Sequence, residues 1–283
     1  MIDMRKMLAF IFISCSLFGF DFRVGRGSYS SDFNVMNFMK FDNSYDTTTF
    51  MLSNPKVKIS DKIFYYYNLE YFTSDKKRAE FEFWEFPRFG VGDIVIDRFM
   101  CDSEAFGGDL DLGFGYDLIK SKNGYLALAL NSGVTLPNIS SKNLSKKIRF
   151  AKKMIDSFDI NIYSYKIGPN LRAKYDLNSY LSLFSSFGFG FQKAYIDSDL
   201  FKSSVDTKGS YKSFDINLKF IPYNMDLLSF SKELYFDLGY SLKKWSFSSV
   251  DVNLYNFFQF DIFKPFDLDL KSSSLYIGVG YNF

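Results

Sequence analysis

Histidine is absent from all 283 residues of the chain. That removes the commonest general base at neutral pH and the commonest nitrogen ligand, so acid–base chemistry that depends on histidine and His-based metal sites are excluded. Cysteine is nearly absent. Cys15 falls in an apolar N-terminal run and Cys101 then stands alone, so neither an internal disulfide nor a zinc cluster is expected. The stretch FISC before Cys15 lacks the leucine usual ahead of a lipidated cysteine. Proline is scarce, with 6 residues. Excess charge is also missing. The formal net charge is +2, and removing Asp3, Arg5 and Lys6 takes away one positive charge, which does not suit a nucleic-acid binder. Beyond the N-terminus no stretch approaches the ~18 apolar residues of a spanning helix.

What the chain has in abundance is aromatic rings. There are 36 Phe and 20 Tyr, together with Trp 20% of all residues, yet the mean hydropathy is −0.09. Apolar rings offset by Ser, Asn, Asp and Lys suit a barrel that is apolar outside and polar inside. The N-terminus, MIDMRKMLAFIFISCSLFGF, places Arg5 and Lys6 before an apolar run from Met7 to Phe20. The run is short for a membrane helix and right for a signal peptide. Residues 1–19 are therefore expected to be a signal peptide cut after Gly19, with Met4 an alternative start, and 20–283 a single β-domain.

The end of the chain, SSLYIGVGYNF, alternates strictly. Leu275, Ile277, Val279, Tyr281 and Phe283 share one face, and Ser274, Tyr276, Gly278, Gly280 and Asn282 the other. DLDLGFGYDL (109–118) does the same, with three aspartates opposite Leu110, Leu112, Phe114, Tyr116 and Leu118. Further strands are read at YLALALNSGVTL, YKIGPNLRAKYDL, YLSLFSSFGFGF, SFDINLKF and ELYFDLGYSL. FDFRVGRG, YDTTTFMLS and IFYYYNLEYF open the series. Each spans about ten residues, enough for a tilted strand to cross a bilayer. Short turns (121–124, 176–179, near Tyr223) alternate with long polar segments (138–157, 192–209), as short periplasmic turns alternate with longer external loops. Residues 73–105 are expected to form a long external loop, or a loop with an extra hairpin at AEFEFWEF. Residues 244–272 are expected as one external excursion or a long hairpin above the membrane.

The expected fold is all-β, an antiparallel up-and-down transmembrane β-barrel of about ten strands, with about eight or twelve as alternatives. A secreted soluble β-sandwich or lipocalin-like barrel binding an apolar ligand stays open. Glycines on the polar faces, such as Gly113, Gly115, Gly239 and Gly280, fit a narrow lumen.

With its signal-like start, repeated strand–turn pattern and final LYIGVGYNF, the chain resembles the small single-chain outer-membrane β-barrels of Gram-negative bacteria. The resemblance is architectural and covers nearly all of the mature chain. It implies residence in the outer membrane, contact with its lipid and lipopolysaccharide, and insertion by the barrel-assembly machinery. That machinery would read the terminal strand at Leu275, Ile277, Val279, Tyr281 and Phe283. Among such barrels the phospholipases, the lipid A acyltransferases and deacylases, and the omptin proteases need a catalytic histidine, so a non-enzymatic protein with no cofactor is expected.

Two groups of charges stand out. Asp109, Asp111, Asp117, Lys166, Arg172, Lys174, Asp215, Lys219, Glu233 and Asp237 are expected to face the lumen. They would form either a biased ion path or a hydrogen-bonded ionic plug, and small barrels are filled by side chains. The segment 140–158 carries Lys142, Lys146, Lys147, Arg149, Lys152 and Lys153, with Leu144, Ile148, Ala151 and Ile155 at helical spacing. A short amphipathic helix on anionic glycolipid, or a solvated charged loop, is expected there. The functional expectation is a structural or surface-interaction barrel, with a narrow pore for small solutes as the alternative.

Overall fold

The computed structural model describes residues 19–35, 39–85, 94–145, 148–149, 154–155, 157–199, 204–225, 231, 233–253 and 263–281. Strands run in the order β1 (Phe20–Val35), β2 (Met39–Lys58), β3 (Ile63–Ser74), β4 (Lys77–Glu85), β5 (Ile94–Ser121), β6 (Gly124–Lys142), β7 (Ile148–Arg149), β8 (Met154–Ile155), β9 (Phe158–Asp176), β10 (Leu181–Ser198), β11 (Val205–Phe220), β12 (Leu234–Asn253) and β13 (Phe263–Tyr281). Ten of these pair antiparallel into one sheet, and β1 hydrogen-bonds to both β2 and β13, so the sheet closes. Strand β4 lies outside the ten. It forms a hairpin with the first part of β5 and touches β2 at Met39 and Lys40. Short turns at 59–62, 122–123 and 177–180 share one end of the barrel with the paired residues Phe20 and Tyr281. That end is periplasmic by the usual orientation of such barrels.

Around the lower barrel the outward positions form an apolar belt. It runs through Leu110, Leu112, Phe114 and Tyr116 on β5, Leu128 and Leu130 on β6, Tyr165, Ile167 and Leu171 on β9, and Leu275, Ile277 and Val279 on β13. Phe114, Leu275 and Ile277 are 65%, 61% and 67% exposed, and a continuous exposed belt of this kind needs lipid as its neighbour. The soluble alternative is therefore set aside.

The barrel strands are longer than a bilayer needs, from 12 residues in β3 to 28 in β5. Their extra length continues past the belt, and there the chemistry of the two faces inverts. On β13 the inward residues are Gly278, Tyr276, Ser274 and Ser272 beside the belt, then Leu270, Leu268 and Phe266 above it. The outward residues change from Val279, Ile277 and Leu275 to Lys271, Asp269 and Asp267. β9 repeats this, with Arg172, Asn170 and Lys166 inward below and Ile162, Ile160 and Phe158 inward above. The side chains keep one parity throughout; only the surroundings change, from lipid outside to water outside.

Above the belt, then, the barrel encloses an ordinary apolar core. Phe41 stacks on Phe81 with ring centroids 4.1 Å apart, Phe158 meets Phe81 edge-on at 4.6 Å, and Tyr29 stacks on Phe72 at 4.7 Å. Each buried aromatic side chain contributes ~1.5–3 kcal/mol. Cys101 belongs to this core, a free thiol whose pKa is pushed up by burial.

Several expectations are corrected. The polar segments 138–157 and 192–209 contain more strand than expected at their described residues: β6 runs on to Lys142, β10 to Ser198, and β11 begins at Val205. Of the two readings of 73–105, the hairpin is the one found. Of those for 244–272, the long hairpin of β12 and β13 is found, without residues 254–262, which lie outside the described set. Of the two readings of 140–158, the helix does not form at the described residues: Ile148 pairs with Ile155 and Arg149 with Met154, and Leu144 enters the apolar core. The expected signal peptide falls on residues outside the described set except for Gly19, as do Phe283, Lys146, Lys147, Lys152 and Lys153.

Candidate functional site

Below the apolar core the lumen is filled by charge. At its centre lies Asp109 on β5, 2% exposed. It accepts hydrogen bonds from Lys166 of β9 and Lys243 of β12, both at 2.6 Å, and from the Thr135 hydroxyl at 2.6 Å. Lys166 also reaches Asp111 at 2.9 Å, and Lys243 also reaches Glu70 of β3 at 2.6 Å. Asn131 donates to Asp111 at 2.9 Å. Two ammoniums and three carboxylates from four strands thus tie opposite walls together. Arg172 lies beside them, its guanidinium 3.8 Å from the centre of the Tyr66 ring and 5.1 Å from that of Phe184. A cavity of about 70 Å³ lies between, bordered by Glu70, Asp111, Asn131, Asn170 and Arg172.

Nearer the periplasmic mouth a second layer repeats the logic. Arg23 of β1 bridges Asp21 at 3.0 Å and Asp237 of β12 at 2.7 Å. The Tyr276 hydroxyl donates to Asp215 at 2.9 Å. Lys56 pairs with Asp117 at 2.5 Å and Lys174 with Asp176 at 2.8 Å, while the Lys219 ammonium lies 3.3 Å from the centre of the Tyr235 ring. A vestibule of about 330 Å³ opens below this layer.

Ring–glycine pairs make room for these side chains. Tyr66 faces Gly113, Phe64 faces Gly115, and Tyr235 faces Gly280, each pair in register on neighbouring strands. A Cβ on Gly113 would come within 2.2 Å of the Tyr66 ring. The small residues let aromatic rings lie flat along the lumen wall, a stabilising cross-strand pairing.

Of the charges expected in the lumen, Asp109, Asp111, Asp117, Lys166, Arg172 and Asp237 are buried there, and Lys174, Asp215 and Lys219 are half-buried. Glu233 is not among them: it lies in the turn before β12 and accepts a hydrogen bond from Ser231. Asp21, Arg23, Lys56, Glu70 and Lys243 were missed. Glu70 and Lys243 follow the lumen parity of their own strands, in phase with Tyr66 and with Ser241, and that phase was the signal that could have found them.

The two ionic layers together form one plug in the described lumen, and the apolar core lies above it as a second filling. Phe33, Phe41, Phe158 and Phe266, in the inward core beyond the belt, are at most 2% exposed. Comparison of the fold with solved structures gives a match to the outer-membrane protease OmpT of Escherichia coli, with a TM-score of 0.64 over 94% of this chain and 97% of that one, at 9% identity. The fold is that of a small outer-membrane β-barrel. The translocator domain of the autotransporter NalP from Neisseria meningitidis matches at a TM-score of 0.37, with 10% identity over 99% of this chain and 94% of that one. Ail of Yersinia pestis matches at 0.27, with 11% identity over 93% and 99%. No family model and no curated protein sequence matches. With its belt and closed strand ring, this barrel is an outer-membrane protein.

Proposed function

We propose that this protein is a non-enzymatic outer-membrane barrel, sealed by its own side chains, that serves as a rigid post for an extracellular surface. The observation that carries the reading is the double filling of the lumen: an ionic plug within the membrane, capped by an aromatic core above it. A barrel built to pass solutes would not place Phe41, Phe81, Phe158 and Phe266 across its outer mouth. The absence of histidine supports the non-enzymatic reading, and the likeness to a protease at 9% identity speaks for the fold alone. The narrow pore is the weaker alternative, because any path from the periplasmic vestibule meets both layers.

Recognition of the terminal strand, Leu275 to Phe283, by the barrel-assembly machinery belongs to the same proposal. So does contact of the basic segment from Lys142 to Lys153 with lipopolysaccharide. Unchanged lipopolysaccharide binding after charge reversal at all six basic positions would remove that contact from the account. The test of the main reading is planar-bilayer recording of the purified barrel: no stable conductance is expected, and large, long-lived open channels would refute it.

A further inference from the structure

The extracellular edge of the belt is not uniform around the barrel. On one sector Lys212 of β11, Lys244 of β12 and Lys271 of β13 are direct register partners across three adjacent strands, all outward and exposed. Like charges placed directly opposite one another destabilise a sheet. Lys244 pairs with Asp269 at 2.9 Å, whereas Lys212 and Lys271 make no ion pair or hydrogen bond among the described residues. Elsewhere on the edge the outward residues include Glu104 on β5 and Asp46 on β2.

Two residues closer to the membrane on β11 and β12 runs a second in-register row, and it is apolar. Phe187 faces Phe214, and Phe214 faces Leu242. The next strand offers only Ser273 opposite Leu242, and the small side chain leaves a trough. The two rows line one groove of about 510 Å³, which Asp32 and Asp269 border on the extracellular side. Apolar floor, cationic rim and position at the belt edge are complementary to one kind of molecule. Lysine stems can lie along the apolar row while their ammoniums reach the headgroup level.

We propose that this groove binds an outer-leaflet lipid whose headgroup is a net-anionic phosphate monoester, with an acyl chain along Phe187, Phe214 and Leu242 and its phosphate on Lys212, Lys244 and Lys271. The site rests on the reading of the belt as lipid-facing and on nothing in the lumen. The bound phosphate would offset the repulsion within the lysine row.

The test uses the full barrel in phosphatidylcholine nanodiscs, with and without phosphatidic acid, read by native mass spectrometry and thermal unfolding. The variant is Lys212→Gln/Lys244→Gln/Lys271→Gln, with Lys76→Gln, exposed in the turn between β3 and β4, as the control. We expect the triple variant to retain phosphatidic acid about tenfold less than the wild type, and the control to match the wild type. The triple variant should unfold at a higher temperature than the wild type in phosphatidylcholine, and lose that advantage once phosphatidic acid is present. Equal retention by variant and wild type would overturn the site. So would displacement of the lipid by millimolar inorganic phosphate, which would mark a site for the free anion, or a stability gain indifferent to lipid. Should the triple variant not fold, Lys271→Gln alone, at an exposed position, is read the same way. Loss of the heat-dependent gel shift by the wild type itself would instead count against the membrane reading.

Discussion

Replacing Asp109 with asparagine removes one charge from the centre of the plug and almost no volume. In the native barrel Asp109 accepts from Lys166 and Lys243 at 2.6 Å each. After the change, Lys166 keeps Asp111 and Lys243 keeps Glu70, but the group of Lys166, Lys243 and Arg172 then faces two carboxylates in place of three. Breaking a buried ion pair so that one charge is left uncompensated costs about 3–5 kcal/mol. Because both lysines retain a partner, the lower end applies, and we expect a loss of ~3 kcal/mol, about two decades in the folded-to-unfolded ratio. Urea unfolding of the barrel in phosphatidylcholine vesicles, followed by the heat-dependent gel shift, measures it. Adding Lys166→Met to Asp109→Asn should recover part of the loss, since it removes the surplus cation. Asp206→Asn, on the exposed outer face, should stay within about 0.5 kcal/mol of the wild type. A loss below about 0.5 kcal/mol for Asp109→Asn, with no recovery in the double variant, would mean that water rather than protein solvates these charges, and the plug account would fail.

Other consequences follow from the same geometry. Gly113→Ala drives a methyl into the Tyr66 ring and should cost about 1–3 kcal/mol; Tyr66→Leu in the same chain should relieve it, and an unrelieved loss would count against the ring–glycine pairing. Phe81→Ala hollows the extracellular core between Phe41 and Phe158 and should cost about 3–5 kcal/mol without opening a conductance while the plug below is intact; a stable channel in this variant would show that the core alone seals the barrel. Asp32 faces Asp42 and Asp269 in register on the extracellular surface, and burial, then Asp42, raises its carboxyl above the ordinary range. The folded state therefore binds this proton more readily than the unfolded state, so Asp32 lowers stability at neutral pH and the penalty fades as pH falls through its raised pKa. Asp32→Asn should gain ~0.5 kcal/mol at pH 7 after allowing for solvent screening, with the gain shrinking toward pH 3; a gain that grows on acidification would contradict the assignment.

The lower barrel was legible because lipid and lumen impose opposite chemistry on alternate residues. In 109–118 the leucines and rings fall on one parity and the aspartates on the other, and the structure sends them outward and inward as read. The upper barrel was not legible by the same rule. In Lys193–Ser198 the apolar residues Ala194 and Ile196 sit on the lumen parity, and Lys193, Tyr195 and Asp197 point to solvent. A reading that looks for apolar residues on the outward parity takes such a stretch for a loop. The misread segment 140–158 has a related cause: Leu144, Ile148 and Ile155 fit a helical spacing, but Leu144 serves the apolar core and the two isoleucines pair across a small hairpin. For the plug, the aspartates of 109–117 announced themselves by crowding one face. Lys243 gave a weaker signal because Lys244 beside it points outward, and only strand phase separates a buried cation from a surface one. Which carboxylate meets which ammonium depends on register across the closed barrel, which no single strand encodes.

The most direct test of the inverted faces is a spin-label scan along β12 and β13 with Cys101 replaced by serine. Labels at Leu238 and Ile277 should be quenched by oxygen and not by a water-soluble nickel chelate, and labels at Lys244 and Asp269 by the chelate. Labels at Phe247 and Leu268, on the inward parity above the belt, should be sheltered from both. Free access of the chelate to Phe247 and Leu268 would mean an open, wet upper lumen and would contradict the sealed barrel.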